Sequence, residues 1–202
     1  MRAEQAAVRE LRAAAAAMAG LAKPAAVRRL TAAADAVMAS YRAGGQLLAF
    51  GNGGSAADAQ HLVAELVVRL RFDRPALPAV ALSVNPSLVT AAANDFGYDA
   101  VFVRQVEAHV RPGDVAVAIS TSGTSPGVVQ AAAAARQRGA VVIGLTGRTG
   151  GTLKRHCDHW LPVAAAATPH VQEGHIAMIH VLCRLVEDGL FGAQGGHTCG
   201  RH

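Results

Sequence analysis

Aromatic residues are scarce in this 202-residue chain, at 4%, and charged residues amount to only 16%. With 51% of residues hydrophobic, many of them alanine, the chain is no disordered polymer. A core of small side chains buries little area per residue, so part of the stability is expected from association between subunits. Cysteines are few: Cys157, Cys183 and Cys199 are odd in number and show no paired spacing. That excludes a disulfide framework and fits a reducing compartment. No apolar run reaches the ~18 residues that a membrane span needs. The run from Ala13 to Ala22 follows Arg12, yet Glu4 and Glu10 stand where a signal peptide has its basic leader, so an amphipathic helix is the better reading. A cytoplasmic location with no membrane partner is expected. The formal charge is +5, but the arginines are scattered and never interleave with aromatics, so no nucleic-acid partner is expected.

What is present is organised. Residues 1–43 read as two Ala-rich helices broken at Lys23-Pro24, with Pro24 opening the second and Gly44-Gly45 ending it. Beyond them, short apolar runs alternate with helical stretches, as in a parallel sheet with helical crossovers. Strands are expected at Leu47–Phe50, Ala79–Ser83, Val115–Ile119, Ala140–Leu145 and His159–Val163. Helices are expected from Ser55 to Leu70, through Arg138, and from Val171 to Leu190. A short helix and an acidic turn are expected after the second strand. Nothing resembles a linker, so the whole chain, 1–202, reads as one α/β domain with a frayed, Gly-rich tail over 190–202.

Three times a buried strand runs into a small-polar loop that opens a helix: Gly51 to Ser55, Ser120 to Ser125, and Thr146 to Thr152. In open α/β sheets such strand ends face one crevice, where ligands bind. Ser120-Thr121-Ser122-Gly123-Thr124-Ser125 offers hydroxyls, a glycine and the free amides of a helix start, all suited to a phosphate dianion. It lacks the lysine of a P-loop, and the dinucleotide glycine spacing is missing too, so a monophosphate held without metal is the expectation. The plain alternative is a turn whose Ser and Thr only cap the helix. The glycines of Gly51-Asn52-Gly53-Gly54-Ser55 allow a ligand to approach the backbone.

His61 and Glu65 lie four apart on a helix and share one face, while Gln172 and His180 lie eight apart on the last helix. This set suits a divalent ion such as zinc, or proton transfer between adjacent sugar carbons, or it only decorates solvated helix faces. His175, on the same helix, is either a fifth member of this set or a packing residue, and packing is the favoured reading. His197, Cys199 and His202 form a weak candidate for adventitious metal. Asn94 and Asp95 either touch sugar hydroxyls or form a turn.

In order along the chain, Gly51-Asn52-Gly53-Gly54-Ser55 with Asp58, His61 and Glu65, Asn94-Asp95-Phe96-Gly97, Ile119 to Gly123, Leu145-Thr146-Gly147, and Gln172-Glu173 with His175 and His180 resemble the phosphoheptose isomerases of the sugar isomerase (SIS) domain family. The resemblance runs from about residue 40 to 190, and the N-terminal helical pair is similar as well. It implies an α-β-α sandwich with a five-stranded parallel sheet, flavodoxin-like, and a homotetramer with active sites shared between subunits, the helical pair serving association. It implies conversion of D-sedoheptulose 7-phosphate to D-glycero-D-manno-heptose 7-phosphate. On that resemblance Asn52, Gly53, Ser55, Glu65, Asn94, Asp95, Ser120, Thr121, Ser122, Ser125 and Gln172 bind substrate. His61, Glu65, Gln172 and His180 hold zinc, and Glu65 and His180 act as base and acid. The chain departs from the family pattern twice. Thr168-Pro169-His170 stands where some members carry an acidic residue, and Pro126-Gly127 replaces a more usual Ala-Asn pair. The family also holds a non-catalytic tetramer that binds a replication initiator, sugar-phosphate-sensing domains, and isomerases of other sugar phosphates.

Overall fold

The computed structural model describes residues 2–192. Helix α1 (Arg2–Leu21) and helix α2 (Pro24–Arg42) form the expected N-terminal pair, with Pro24 in the first turn of α2 where no amide hydrogen is needed. There follow β1 (Leu47–Gly51), α3 (Gly54–Val67), β2 (Ala79–Ala81), α4 (Pro86–Phe96), α5 (Ala100–His109), β3 (Val115–Ser120), α6 (Pro126–Gln137), β4 (Val141–Gly147), a short 3-10 turn (Leu153–His156), β5 (His159–Val163) and α7 (Thr168–Phe191).

All five strands are parallel, in the order β2-β1-β3-β4-β5. The fold class is therefore α/β, a sheet between two helical layers, with the reversal of strand order between β1 and β3. In such sheets ligands bind beyond the strand carboxyl ends at that reversal. The strands buried on both faces read as unbroken apolar runs, as in Val115–Ser120. One face is covered by α1, α2, α3 and α7 and the other by α4, α5 and α6. Alanines at the contact, including Ala33, Ala34, Ala59, Ala131, Ala132 and Ala135, are fully buried.

Two sequence expectations are adjusted. The stretch after β2 holds two helices, because Asn85 caps α4 by accepting from the Leu88 amide and Gly97, at φ 85°, opens a three-residue break (Gly97, Tyr98, Asp99) before α5. The last helix runs on to Phe191, with Leu190 and Phe191 packed against the core, so 190–191 are helical. The rest of the expected flexible tail, with His197, Cys199 and His202, lies outside the described residues.

Helices α3 and α7 lie side by side and run in the same direction. Gly54 meets Gln172, His61 meets His180, and the Leu70 amide meets Glu187. The last contact belongs to a buried ion pair. Arg74 Nε donates to Glu187 Oε1 at 3.2 Å, with side chains 2% and 1% exposed. The Glu187 carboxylate also accepts from the amides of Leu70 and Arg71 at 3.1 and 3.0 Å. Arg74 in turn donates to the carbonyls of Glu65 and Leu66 at 2.7 and 2.6 Å, closing the open end of α3.

Candidate active site

The strand-end loops interlock. The Gly147 amide donates to the Thr121 carbonyl and the Leu153 amide to the Gly123 carbonyl, both at 2.9 Å. A Cβ at Gly123, whose φ is 70°, would run into the Gly150 carbonyl, so only glycine permits this approach. Within the Ser/Thr loop, Ser120 Oγ is 3.3 Å from Ser125 Oγ and accepts from the Gly123 amide at 3.2 Å, and Ser122 Oγ accepts from the Thr124 amide at 3.2 Å. Ser125 precedes α6 but makes no side-chain capping bond. The helix start is left open, unlike the plain capping turn. Gly127, one of the family departures, is explained by packing: a Cβ there would press on the backbone of Asp99.

Asn52 and Gly53 form the companion turn, Gly53 at φ 57° and exposed, Ser55 buried. Tyr98 Oη donates to Asn52 Oδ1 at 3.0 Å, a contact the sequence gave no local sign of. Asn94 and Asp95 belong to the last turn of α4, exposed and bonded to one another at 2.8 Å.

The structure brings together three of the four predicted ligands. His61 Nε2 lies 2.9 Å from His180 Nε2 and 3.1 Å from Glu65 Oε1, and the donor atoms of all three fall within 4.8 Å of one another. Gln172 sits elsewhere along α7, its carboxamide against Gly54, two turns before His61 on α3. The donor set suits a cation. One ring nitrogen of His61 faces both a second imidazole nitrogen and a carboxylate, and a single proton there can serve only one of them. Tetrahedral zinc at ~2.05 Å from each nitrogen sets ligand atoms roughly 3.3 Å apart, close to the observed spacings. His61, Glu65 and His180 could therefore hold such an ion.

Glu65 is eleven residues into α3 from Gly54, about 16 Å along the helix axis from the crevice. Within one chain the carboxylate and the Ser120 to Ser125 loop thus lie at different ends of the sheet. Its side chain is 18% exposed; Oε1 faces His61, and no described side chain bonds Oε2.

Two buried groups that the sequence named without a role stand out. Asp58 shares the His61 face of α3 one turn earlier; its Oδ2 has no partner, and burial pushes its carboxyl up to about 6. His170, in the other departure, is largely buried, with Nδ1 2.9 Å from Glu173 and Nε2 3.1 Å from Glu10, so it clasps α1 to the start of α7. The hydrogen bond to Glu173, ahead of the Glu10 contact, raises its pKa from the ordinary value.

His175 is a packing residue, fully buried, with neither ring nitrogen in a hydrogen bond of ordinary geometry although the Thr146 backbone is near. Burial lowers its pKa from 6.5 to about 4. The folded state therefore resists a proton that the unfolded chain accepts. The stability conferred by keeping it neutral is complete above pH 6.5 and falls as pH drops toward 4, by about 2–3 kcal/mol. Urea unfolding at fixed protein concentration should show that loss between pH 7 and 4.5, and a His175→Leu chain should show a smaller one. An equal loss in both would assign the acid sensitivity elsewhere.

Among the described residues no helix is long and apolar enough to cross a membrane. The family model described as SIS domain matches residues 11–147. The chain is 52% identical over 163 residues to the phosphoheptose isomerase of Trichlorobacter lovleyi, covering 81% of this chain and 83% of that protein. Among solved structures it is similar to the phosphoheptose isomerase of Neisseria gonorrhoeae, with TM-score 0.81, 39% identity, and coverage of 93% of this chain and 97% of that one. It is also similar to a phosphoheptose isomerase from Francisella tularensis, with TM-score 0.88, 30% identity, and coverage of 93% and 100%.

Proposed function

Because the chain belongs to the phosphoheptose isomerases of the SIS domain family, we propose that it interconverts D-sedoheptulose 7-phosphate and D-glycero-D-manno-heptose 7-phosphate. The observation that carries the reading is the meeting of Glu65 and His180, from helices far apart in sequence, as a carboxylate and an imidazole flanking one place.

The phosphate is held by the Ser120, Thr121, Ser122 and Ser125 loop and the open start of α6, with Asn52, Gly53, Ser55, Asn94, Asp95 and Gln172 lining the sugar path. Glu65 takes a proton from C1 of the open-chain ketose and returns it at C2, by way of an enediol. His180 moves the matching proton between the two oxygens. Atoms balance without any oxidant, because the hydrogen lost at C1 reappears at C2. Zinc, when held by His61, Glu65 and His180, supplies positive charge beside the sugar oxygens, and Gln172, two turns away in the same chain, could reach such an ion only from another subunit. Glu65 is then a weaker base than a free carboxylate, so we read the ion as orienting.

The 16 Å between Glu65 and the crevice supports a site completed by a second subunit: the cradle of one chain faces the acid/base pair of another. Apolar surface on and beside α3, at Val67, Val68, Val80 and Val84, and a further apolar cavity between α1, α2 and α7 are surfaces for such association. We infer a cytoplasmic homotetramer, each chain one SIS domain over 1–202, with the helical pair of residues 1–43 used in assembly.

Incubation of the full chain with sedoheptulose 7-phosphate, followed by proton NMR, should reveal the anomeric signal of a new aldose. A folded protein that yields no such signal would leave the non-catalytic SIS reading in place.

A further inference from the structure

Away from the α3–α7 cluster, a cavity of about 470 Å³ opens between the first half of α2 and the start of β5, lined by Arg28, Arg29, Asp158, His159 and Trp160 beside small alanines of α2. Its charge is one-sided. The Arg29 guanidinium carbon stands 4.9 Å from the Trp160 ring centre, and the Lys154 ammonium stands 3.9 Å from that same centre. Arg28, Arg29 and Lys154 enter no ion pair among the described residues. Asp158, the acid on the wall, is engaged from the sheet side: its Oδ2 accepts from the Val142 amide at 2.9 Å, and its Oδ1 lies 3.4 Å from Arg136 Nη2. The indole is a fixed wall, because Trp160 Nε1 donates to Thr146 Oγ1 at 2.8 Å.

Cations resting on an aromatic face instead of on carboxylates keep their donors available. A guanidinium is weakly hydrated and matches two phosphate oxygens at once, and an ammonium adds a point charge. Arg28 and Arg29 on the lining, with Lys154 against its Trp160 wall, carry more charge than a single anionic group offsets. The volume is that of a small-molecule pocket and far exceeds one phosphate.

We propose that this hollow is a second anion site, separate from the Ser120 to Ser125 cradle, taking a small ligand with two or more phosphate groups. It stands independently of the isomerase reading, since none of its residues belongs to the reacting cluster.

Trp160 is the sole tryptophan of the sequence, so its emission reports this place alone. The full chain titrated with inorganic pyrophosphate should give a saturable change in tryptophan emission. The combined Arg28→Ala and Arg29→Ala chain, altered only at exposed positions, should bind about tenfold more weakly or worse. Lys154→Met should weaken binding in the same sense. Ser122→Ala, in the cradle, should leave the emission response intact. A flat titration overturns the proposal. So does a response lost in Ser122→Ala and kept in the arginine variant, since pyrophosphate is then in the cradle. Absent sugar turnover with the emission response intact bears on the isomerase reading only.

Discussion

Glu65→Gln should turn over sedoheptulose 7-phosphate at roughly 10³-fold lower kcat than the unaltered chain, within the 10²–10⁴ that a positioned general base contributes. The amide keeps the size of the side chain and an oxygen toward His61, which in the native chain stands 3.1 Å from Glu65 Oε1. What it removes is the capacity to take a proton from carbon. KM should move little, because the proposed phosphate grip belongs to other residues. Thermal unfolding should move little as well, since the side chain is near the surface and off the core. NMR progress curves with purified, folded protein provide kcat and KM together. A Gln variant within about threefold of native turnover would end Glu65's role as the base.

Glu187→Ala should cost the fold about 3–5 kcal/mol, the range for removing one partner of a buried ion pair and stranding the other. Here Arg74 is left 2% exposed without its carboxylate, and the amides of Leu70 and Arg71 lose their acceptor. Combining Arg74→Met with Glu187→Leu removes both charges and should recover much of the loss. Urea unfolding at one protein concentration measures both. A Glu187→Ala chain within about 1 kcal/mol of native would show that water or a rearranged loop replaces the carboxylate. The same variant should also depress turnover, because Arg74 holds the Glu65 and Leu66 carbonyls at the end of α3.

Features set by near neighbours were legible in the sequence. The strand over His159–Val163 is as expected, the strand from Val115 gains only Ser120, and the run of hydroxyls and a glycine falls at a strand-to-helix junction. The spacing of His61 and Glu65 puts them on one helix face, and they meet there. Tertiary packing set the rest. His61 and His180 are brought to contact by two helices lying in step, and no local pattern states that register. Arg74 and Glu187 are separated by most of the sheet. The α4–α5 pair was hidden because Asn94-Asp95-Phe96-Gly97 carries every sign of a turn, whereas Asn94 to Phe96 are helical and the turn is Gly97-Tyr98-Asp99. His175 was legible as packing from its place on the helix, but its missing partners were not.

The three contacts that lock α3 to α7, near Gly54, His61 and Leu70, work as a pair of matched rulers. One residue inserted between them on either helix would shift everything beyond it by about 1.5 Å and swing it about 100° around the axis. Both the reacting groups and the buried ion pair would then fall out of alignment. Changes in chain length that preserve the chemistry are therefore confined to the segments between these anchored spans and the ends of the chain, where an added residue alters no spacing that counts.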